Sequence, residues 1–173
     1  MEIYLIRHTK PAIAEGIIYG RTDIPVADTF YEESIAVLNQ LPDNIDHVFS
    51  SPSTRCFKLA ALIANNYATD DLLQEFNFGD WEGNTWDEIN KADLENWMAD
   101  FVNLTVSGGE SMLQMADRVM KFWGKLSKLP FKTVAIVTHA GVIRIILSKL
   151  NNVALKDAFD FKITYGEVIK IKQ

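Results

Sequence analysis

Two short apolar runs in this chain end in histidine: YLIRH at residues 4–8 and AIVTH at residues 135–139. A buried strand has no structural need for titratable or cationic side chains at its tip, so both endings point to a ligand. Two further segments add to them. HVFSSPSTR, 47–55, runs through a turn to Arg55 at the start of a helical stretch, and LLQEF, 72–76, places Glu75 just ahead of a glycine loop. Arg7, His8, Arg55, Glu75 and His139 thus fall at four strand-like ends. In an open parallel sheet, ligands bind outside the carboxyl ends of the strands. Arginine offers forked donors matched to phosphate oxygens, and a helix N-terminus favours anions. A histidine serves as nucleophile or charged donor, and a carboxylic acid can protonate a departing alkoxide. Together the set suits a tetrahedral phosphate dianion.

Each residue alone has a plainer reading. A single histidine usually caps structure or faces solvent, and a single Arg or Glu at an element end is usually structural or solvated. His47, at the start of its strand, reads as structural, and Cys56 reads as packing. The argument for a site rests on the coincidence of two strand-terminal histidines, one preceded by Arg, with an Arg and a Glu at two further ends.

Composition narrows the field. The 173 residues suit one domain, and 48% hydrophobic residues supply a real core. The formal charge is 17 − 23 = −6, with no basic stripe of the kind nucleic-acid binders carry. One cysteine makes no internal disulfide, and no CxxC pair suggests zinc. The N-terminus enters a strand pattern without a signal-peptide profile, and no apolar run approaches the roughly 18 residues of a membrane span. The expectations are a cytoplasmic protein with no nucleic-acid and no membrane partner, no cofactor and no metal. A homodimer is left open.

The expected elements alternate. A buried strand covers 2–7 and a long loop with Pro11, Gly16, Gly20 and Pro25 covers 9–30; such loops are usually functional. A helix is expected over 31–41, a strand over 47–51, a helix over 53–67 with Ser53 or Thr54 as N-cap, and a strand or extended piece at 72–76. Residues 78–86, FGDWEGNTW, form an aromatic glycine loop. Helices follow at about 86–100 and 110–128, a β-branched strand at 133–139, a helix at 141–150, and a strand pair over 161–172 broken at Gly166. This alternation argues for an α/β domain with a largely parallel sheet covered on both faces.

These segments resemble, in order and across nearly the whole chain, the histidine phosphatase or phosphoglycerate mutase-like superfamily. LIRHTKP is similar to its Arg-His-Gly motif, YGRTDIPV to its Gly-x-x-Asp-x-Pro loop, VFSSPSTRC to its Ser-Ser-x-x-x-Arg segment, LLQEFNFGDWEG to its Glu-containing glycine-tryptophan segment, and VTHAGVIR to its second histidine motif. The resemblance implies a three-layer α/β/α sandwich over 1–173, with residues about 78–128 as a helical cap or flank. It implies that His8 is the nucleophile that becomes phosphorylated, that Arg7, Arg55 and His139 hold the phosphoryl group, and that Glu75 is the proton donor. Gly20, in the YGRTDIPV loop, is expected at the substrate. Thr9 stands where the family has glycine, which tolerates close approach and positive φ better.

RHTKP, YGRTDIP and GGES together resemble one branch, the alpha-ribazole phosphatases of cobalamin assembly, in which Thr9 reads as a mark of the branch. The expected reaction is metal-independent hydrolysis of a small phosphomonoester, alpha-ribazole 5′-phosphate first, with a broad-specificity phosphatase or a phosphoglycerate mutase as rivals. A non-catalytic binding domain is the rival from another class. The chain is short for a mutase and shows no extra basic insert. Trp81 and Trp86 read first as core residues; facing the pocket, they would suit a stacked heterocycle. Ser111 reads either as a phosphate donor or as an N-cap.

Overall fold

The computed structural model describes residues 1–172. Five strands form one sheet in the order β3-β2-β4-β1-β5: β1 (Glu2–Arg7), β2 (His47–Ser50), β3 (Ala68–Thr69), β4 (Thr133–Thr138) and β5 (Val168–Lys172). All pairings are parallel except β1 with β5. β1 and β4 are continuous apolar runs because both of their faces are covered. Their side chains alternate between two cores. Ile3, Leu5, Val134 and Ile136 join one cluster with residues of α4 (Met112–Leu126) and α5 (Ala140–Asn151). Tyr4, Ile6, Ala135 and Val137 join the other with residues of α1 (Phe30–Leu38) and α2 (Thr54–Ile63). The result is the three-layer α/β/α sandwich expected from the sequence.

The site follows from this topology. β1 leads to α1 on one face of the sheet, while its neighbour β4 leads to α5 on the other. Two adjacent parallel strands whose connections leave to opposite sides open a crevice at their carboxyl ends.

Four expectations change. Residues 72–76, expected as a strand or an extended piece, form no strand; they begin in a turn and become extended at Gln74. The short strand β3 precedes them, and Asp70 then accepts a hydrogen bond from Leu72 N (2.9 Å) to start a 3-10 turn over Asp71–Leu73. The strand pair over 161–172 is only β5. The carbonyls of Phe161 and Ile163 accept from Arg144 Nε (3.1 Å) and Arg7 Nη1 (2.6 Å), so they are spent on side chains and not on a ladder. Gly166 takes a left-handed turn at φ 68° before β5 begins. The helix expected over 53–67 ends at Ile63, and the helix expected from residue 86 is a 3-10 turn, Trp86–Glu88, followed by α3 (Lys91–Ala99).

The segment from Leu72 to Asn77 has no ladder to hold it, and Arg118 on α4 takes that task. Its Nη1 donates to the carbonyls of Leu72 (2.8 Å) and Gln74 (2.7 Å), and its Nη2 to that of Glu75 (2.9 Å). Its Nε and Nη2 also grip the Glu110 carboxylate at 3.0 and 2.7 Å. Glu110 in turn accepts from Asn77 N at 2.9 Å. Both side chains are almost fully buried. Arg21 keeps a longer 3.4 Å contact with Glu110, but loss of the close partner of such a pair leaves its charge poorly compensated, at a cost of up to about 3–5 kcal/mol. Arg118→Met is therefore expected to lower the unfolding free energy by that order in urea titrations. Adding Glu110→Gln should recover part of it, because the orphaned charge goes too; no recovery would show that the clamp on the carbonyls outweighs the ion pair.

Candidate active site

The parallel register of β1 with β4 sets Arg7 opposite Thr138, and the next residue of each strand is a histidine. Their rings meet edge to face with centroids 5.1 Å apart. Both are buried. His8 Nδ1 lies 2.7 Å from the Thr9 carbonyl oxygen. A carbonyl only accepts, so Nδ1 carries the proton and Nε2 keeps its lone pair. Burial, then Arg55 and Arg7, lower the His8 pKa to about 3, with the Thr9 bond opposing. Burial, then His8 and Arg55, hold His139 well below its ordinary value. Both imidazoles are neutral at physiological pH. Among the described residues only Asn152 combines a side chain with positive φ. Thr9 therefore sits in ordinary backbone, and this position does not need glycine.

Arg55 is fully buried at the first turn of α2. Its Nη2 donates to Gly20 O (2.8 Å) and its Nη1 to Thr22 O (3.0 Å). His139 Nδ1 lies 3.4 Å from Nη2, and His139 Nε2 lies 2.8 Å from Ser51 Oγ. The loop that presents those carbonyls is itself fastened. Glu82 accepts from the backbone N–H groups of Arg21 (2.8 Å) and Thr22 (2.6 Å), and Asp23 accepts from Thr54 N (2.8 Å) at the start of α2. Gly20 presses on the next segment so closely that a Cβ would overlap the Phe76 carbonyl oxygen. Neither Arg7 nor Arg55 forms an ion pair with a carboxylate among the described residues. The Nε atoms of both are buried and without a hydrogen-bond partner. Two uncompensated guanidiniums with idle donors are built to receive an anion.

Glu75 approaches from the clamped segment. Its Oε1 accepts from Phe76 N (2.9 Å) and its Oε2 from Gly141 N (3.2 Å) in the first turn of α5. Gly141 is required by that approach, since a Cβ there would run into the Glu75 carboxylate.

A cavity of about 230 Å³ opens beside Arg7 and His8, and His139 and Arg55 join it through the His8–His139 ring contact and the Arg55–His139 contact. Arg7, His8, Gly20 and Glu75 line its polar end, and Phe76, Phe78, Trp86, Trp97 and Phe101 form an aromatic wall. Trp86 and Trp97 stack on each other, with ring centroids 6.3 Å apart and planes 25° apart.

All five residues expected to act chemically thus converge on one place. Gly20 lies with them. Ser111 does not line the cavity; its Oγ accepts from Gln114 N (3.2 Å) as the N-cap of α4. Trp81 is core, packed against Trp97, whereas Trp86 reaches the cavity. His47 stacks on Phe131 at 4.8 Å, a structural role. Cys56 is buried against His139, and burial pushes its thiol pKa up, so it is inert packing. Several participants carried no readable signal. Tyr165 lies over the Arg7 guanidinium at 3.8 Å and shares a 2.6 Å hydroxyl bond with Tyr19. Trp97, on α3, is one aromatic residue among ten phenylalanines and four tryptophans. Arg144 follows His139 within VTHAGVIR, and its helical position three residues beyond Gly141 was the available clue.

A doubly covered, mostly parallel sheet with histidines at the tips of two adjacent strands, beside two buried arginines, defines an anion-binding α/β/α protein. Residues 3–173 match the model of the histidine phosphatase superfamily (branch 1), and the chain belongs to that superfamily. It is 27% identical over 98% of its length to the Hydrogenobacter thermophilus protein named "Putative phosphoserine phosphatase 2", covering 88% of that protein. It is 31% identical over 83% of its length to phosphoglycerate mutase-like protein 4 of Arabidopsis thaliana, covering 68% of it. Among solved structures it superposes on the alpha-ribazole phosphatase of Shigella flexneri with a TM-score of 0.90 and 25% identity, over 99% of this chain and 90% of that one.

The neutral histidines tie folding to pH. In the unfolded chain a histidine takes up a proton near pH 6.5, but His8 and His139 stay uncharged in the fold well below that. Below about pH 6.5 the unfolded state therefore binds more protons, and stability falls with falling pH by about 1.4 kcal/mol per pH unit for each histidine. Carboxylates titrate mainly below this window. The urea-unfolding free energy is expected to drop by about 2 kcal/mol from roughly pH 6 to pH 5, and His8→Asn with His139→Asn should remove most of that slope. A flat wild-type profile would show that the folded imidazoles are charged.

Proposed function

We propose that this protein hydrolyses phosphomonoesters through a phosphohistidine on His8, without a metal ion, and that its preferred substrate is alpha-ribazole 5′-phosphate. The observation that carries the reading is the junction at Glu75, where the cationic pocket around the His8–His139 pair meets an aromatic cavity that Arg7, His8 and Glu75 line. The phosphate belongs at the first and the alcohol part of the ester in the second.

The lone pair on His8 Nε2 attacks phosphorus as the bond from phosphorus to the ester oxygen breaks. Glu75 gives its proton to the departing oxygen. Water then attacks the phosphohistidine, its proton goes to the Glu75 carboxylate, and the bond to Nε2 breaks to restore neutral His8. Arg7 and Arg55 face the charge on the equatorial oxygens, the electrostatic positioning that carries most phosphoryl-transfer catalysis. His139, neutral and next to Arg55 and Ser51, completes the pocket.

The aromatic wall favours a flat heterocycle such as a benzimidazole. Phosphoserine is the second reading, favoured by the name of the Hydrogenobacter relative. Against it, the ammonium of serine would be desolvated beside Phe78 and Trp97, which costs free energy unless it is paired.

Two measurements test the proposal. His8→Ala should lose nearly all activity while remaining folded, and brief reaction of the wild type with labelled substrate, quenched in alkali, should leave label on the protein. Substantial turnover by His8→Ala removes His8 as nucleophile. The substrate is read from kcat/KM on alpha-ribazole 5′-phosphate, AMP, 3-phosphoglycerate, phosphoserine and a sugar phosphate. A preference for the first of at least about tenfold, roughly 1.4 kcal/mol in the transition state, is expected; a preference for phosphoserine would assign the enzyme to the second reading.

A further inference from the structure

Arg144 is a half-buried cation in the apolar part of the cavity, and the phosphoryl chemistry outlined above does not use it. It lies on α5, one turn beyond the Gly141 N–H that holds Glu75. Its Nε donates to the Phe161 carbonyl (3.1 Å), and its guanidinium carbon lies 5.2 Å from the centre of the Phe159 ring. The two terminal nitrogens make no hydrogen bond with any described residue, and no carboxylate pairs with them as a salt bridge. The stem is therefore fixed by a carbonyl and an aromatic face, while four N–H donors remain for something else.

Arg144 lines the same cavity as Trp97, Phe101, Met112 and Phe159. A half-buried guanidinium in such surroundings keeps open donors toward the cavity, and a ligand that fills the cavity must supply an acceptor to them or leave them desolvated at a cost in free energy. Its pKa reflects this: burial lowers it, Glu75 opposes the change and Arg7 adds to it. A second, independent donor stands in the same wall. Trp97 Nε1, contributed by α3, is buried and has no hydrogen-bond partner among the described residues. Arg144 thus brings its open donors to a cavity whose lining away from Arg7, His8 and Glu75 is mostly hydrocarbon and aromatic.

We infer that Arg144 determines substrate choice by donating to an oxygen acceptor on the alcohol part of the phosphoester, with that part's flat or apolar surface against the Trp86–Trp97 wall. This rests on the assignment of the cavity to the leaving group in the proposed function, and it adds a requirement that the aromatic wall alone does not impose. The acceptor oxygen has two chemical sources: the hydroxyls of a nucleoside 5′-phosphate or the carboxylate of a phosphorylated acid. Arginine engages both, the second with two parallel bonds.

The test compares wild type, Arg144→Met and Arg144→Lys on four esters: alpha-ribazole 5′-phosphate, AMP, 3-phosphoglycerate, and phenyl phosphate, which has a flat ring and no oxygen beyond the ester. Arg144→Met is expected to lose at least about tenfold more kcat/KM, about 1.4 kcal/mol, on an oxygen-bearing ester than on phenyl phosphate. The loss should fall mainly on the two nucleoside phosphates for hydroxyl recognition and on 3-phosphoglycerate for a carboxylate. Arg144→Lys, which keeps the charge and loses the fork, should fall between. It also supplies the comparison if the methionine variant folds poorly. Inhibition by the alcohol product alpha-ribazole should weaken in the variants more than inhibition by inorganic phosphate. Equal proportional losses on all four esters would place Arg144 at the phosphoryl group or at Glu75 and overturn the inference. The wild-type preference among the esters tests the proposed substrate separately, because the variant-to-wild-type ratio is read within each ester.

Discussion

The pairing of β1 with β4 governs this site. The six-residue register from Glu2–Thr133 to Arg7–Thr138 makes the two strands end level, so that the following residue of each is a histidine at the same edge. A slip of one residue would exchange the buried faces of a whole strand, sending Ile3 and Leu5 into the core now filled by Tyr4 and Ile6. The two separate cores forbid that slip, because each face has its own set of partners. The meeting of the two histidines is therefore a by-product of hydrophobic register. The Thr9 carbonyl and the Ser51 hydroxyl then only orient the two rings.

The same edge carries an electrostatic burden that the rest of the fold must offset. Arg55 is fully buried with carbonyls as partners and no carboxylate. A carboxylate beside it would neutralise the charge and occupy the donors that a phosphate needs. The chain instead places its acids one step back. Asp23 fastens Thr54 and Glu82 fastens the backbone of Arg21 and Thr22, so acids hold the loop whose carbonyls face Arg55. Negative charge orients the cradle without filling it. The two histidines complete this arrangement, since their lowered affinity for protons keeps the pocket from accumulating further charge before an anion arrives.

How legible this was depended on how local each cause was. β1, β2 and β4 could be read from runs of apolar residues, and the reactive residues from their positions at the ends of those runs. The 72–76 segment misled because Leu72, Leu73 and Phe76 look like a strand, whereas Asp70 and Arg118 impose a 3-10 turn and an irregular path. The first half of 161–172 misled for a related reason: its carbonyls go to arginines far away in sequence. Ser111 was ambiguous, since a serine before a helix followed by Gln114 is a capping box and a hydroxyl near a phosphate motif is also a plausible donor. Trp97, Tyr165 and Arg144 act through contacts between distant elements, which a linear pattern does not encode.

That division bears on specificity. The phosphate end is drawn from strand ends and the first turns of helices, positions locked by the sheet. The aromatic end is drawn from the stretch between Phe76 and Phe101, held by Glu110, Asn77 and Asn90 through side-chain bonds to backbone, together with Arg144 on α5 and Phe159 beyond it. A change in the second group leaves the β1–β4 register and the buried arginines untouched, so the aromatic part of the cavity can be remodelled without disturbing His8. Glu75 is the exception that joins the two halves: its backbone belongs to the irregular stretch through Arg118, and its carboxylate belongs to α5 through Gly141. A change that shifts Phe76 or Phe78 therefore also bears on Glu75, whose backbone carbonyl Arg118 holds together with those of Leu72 and Gln74.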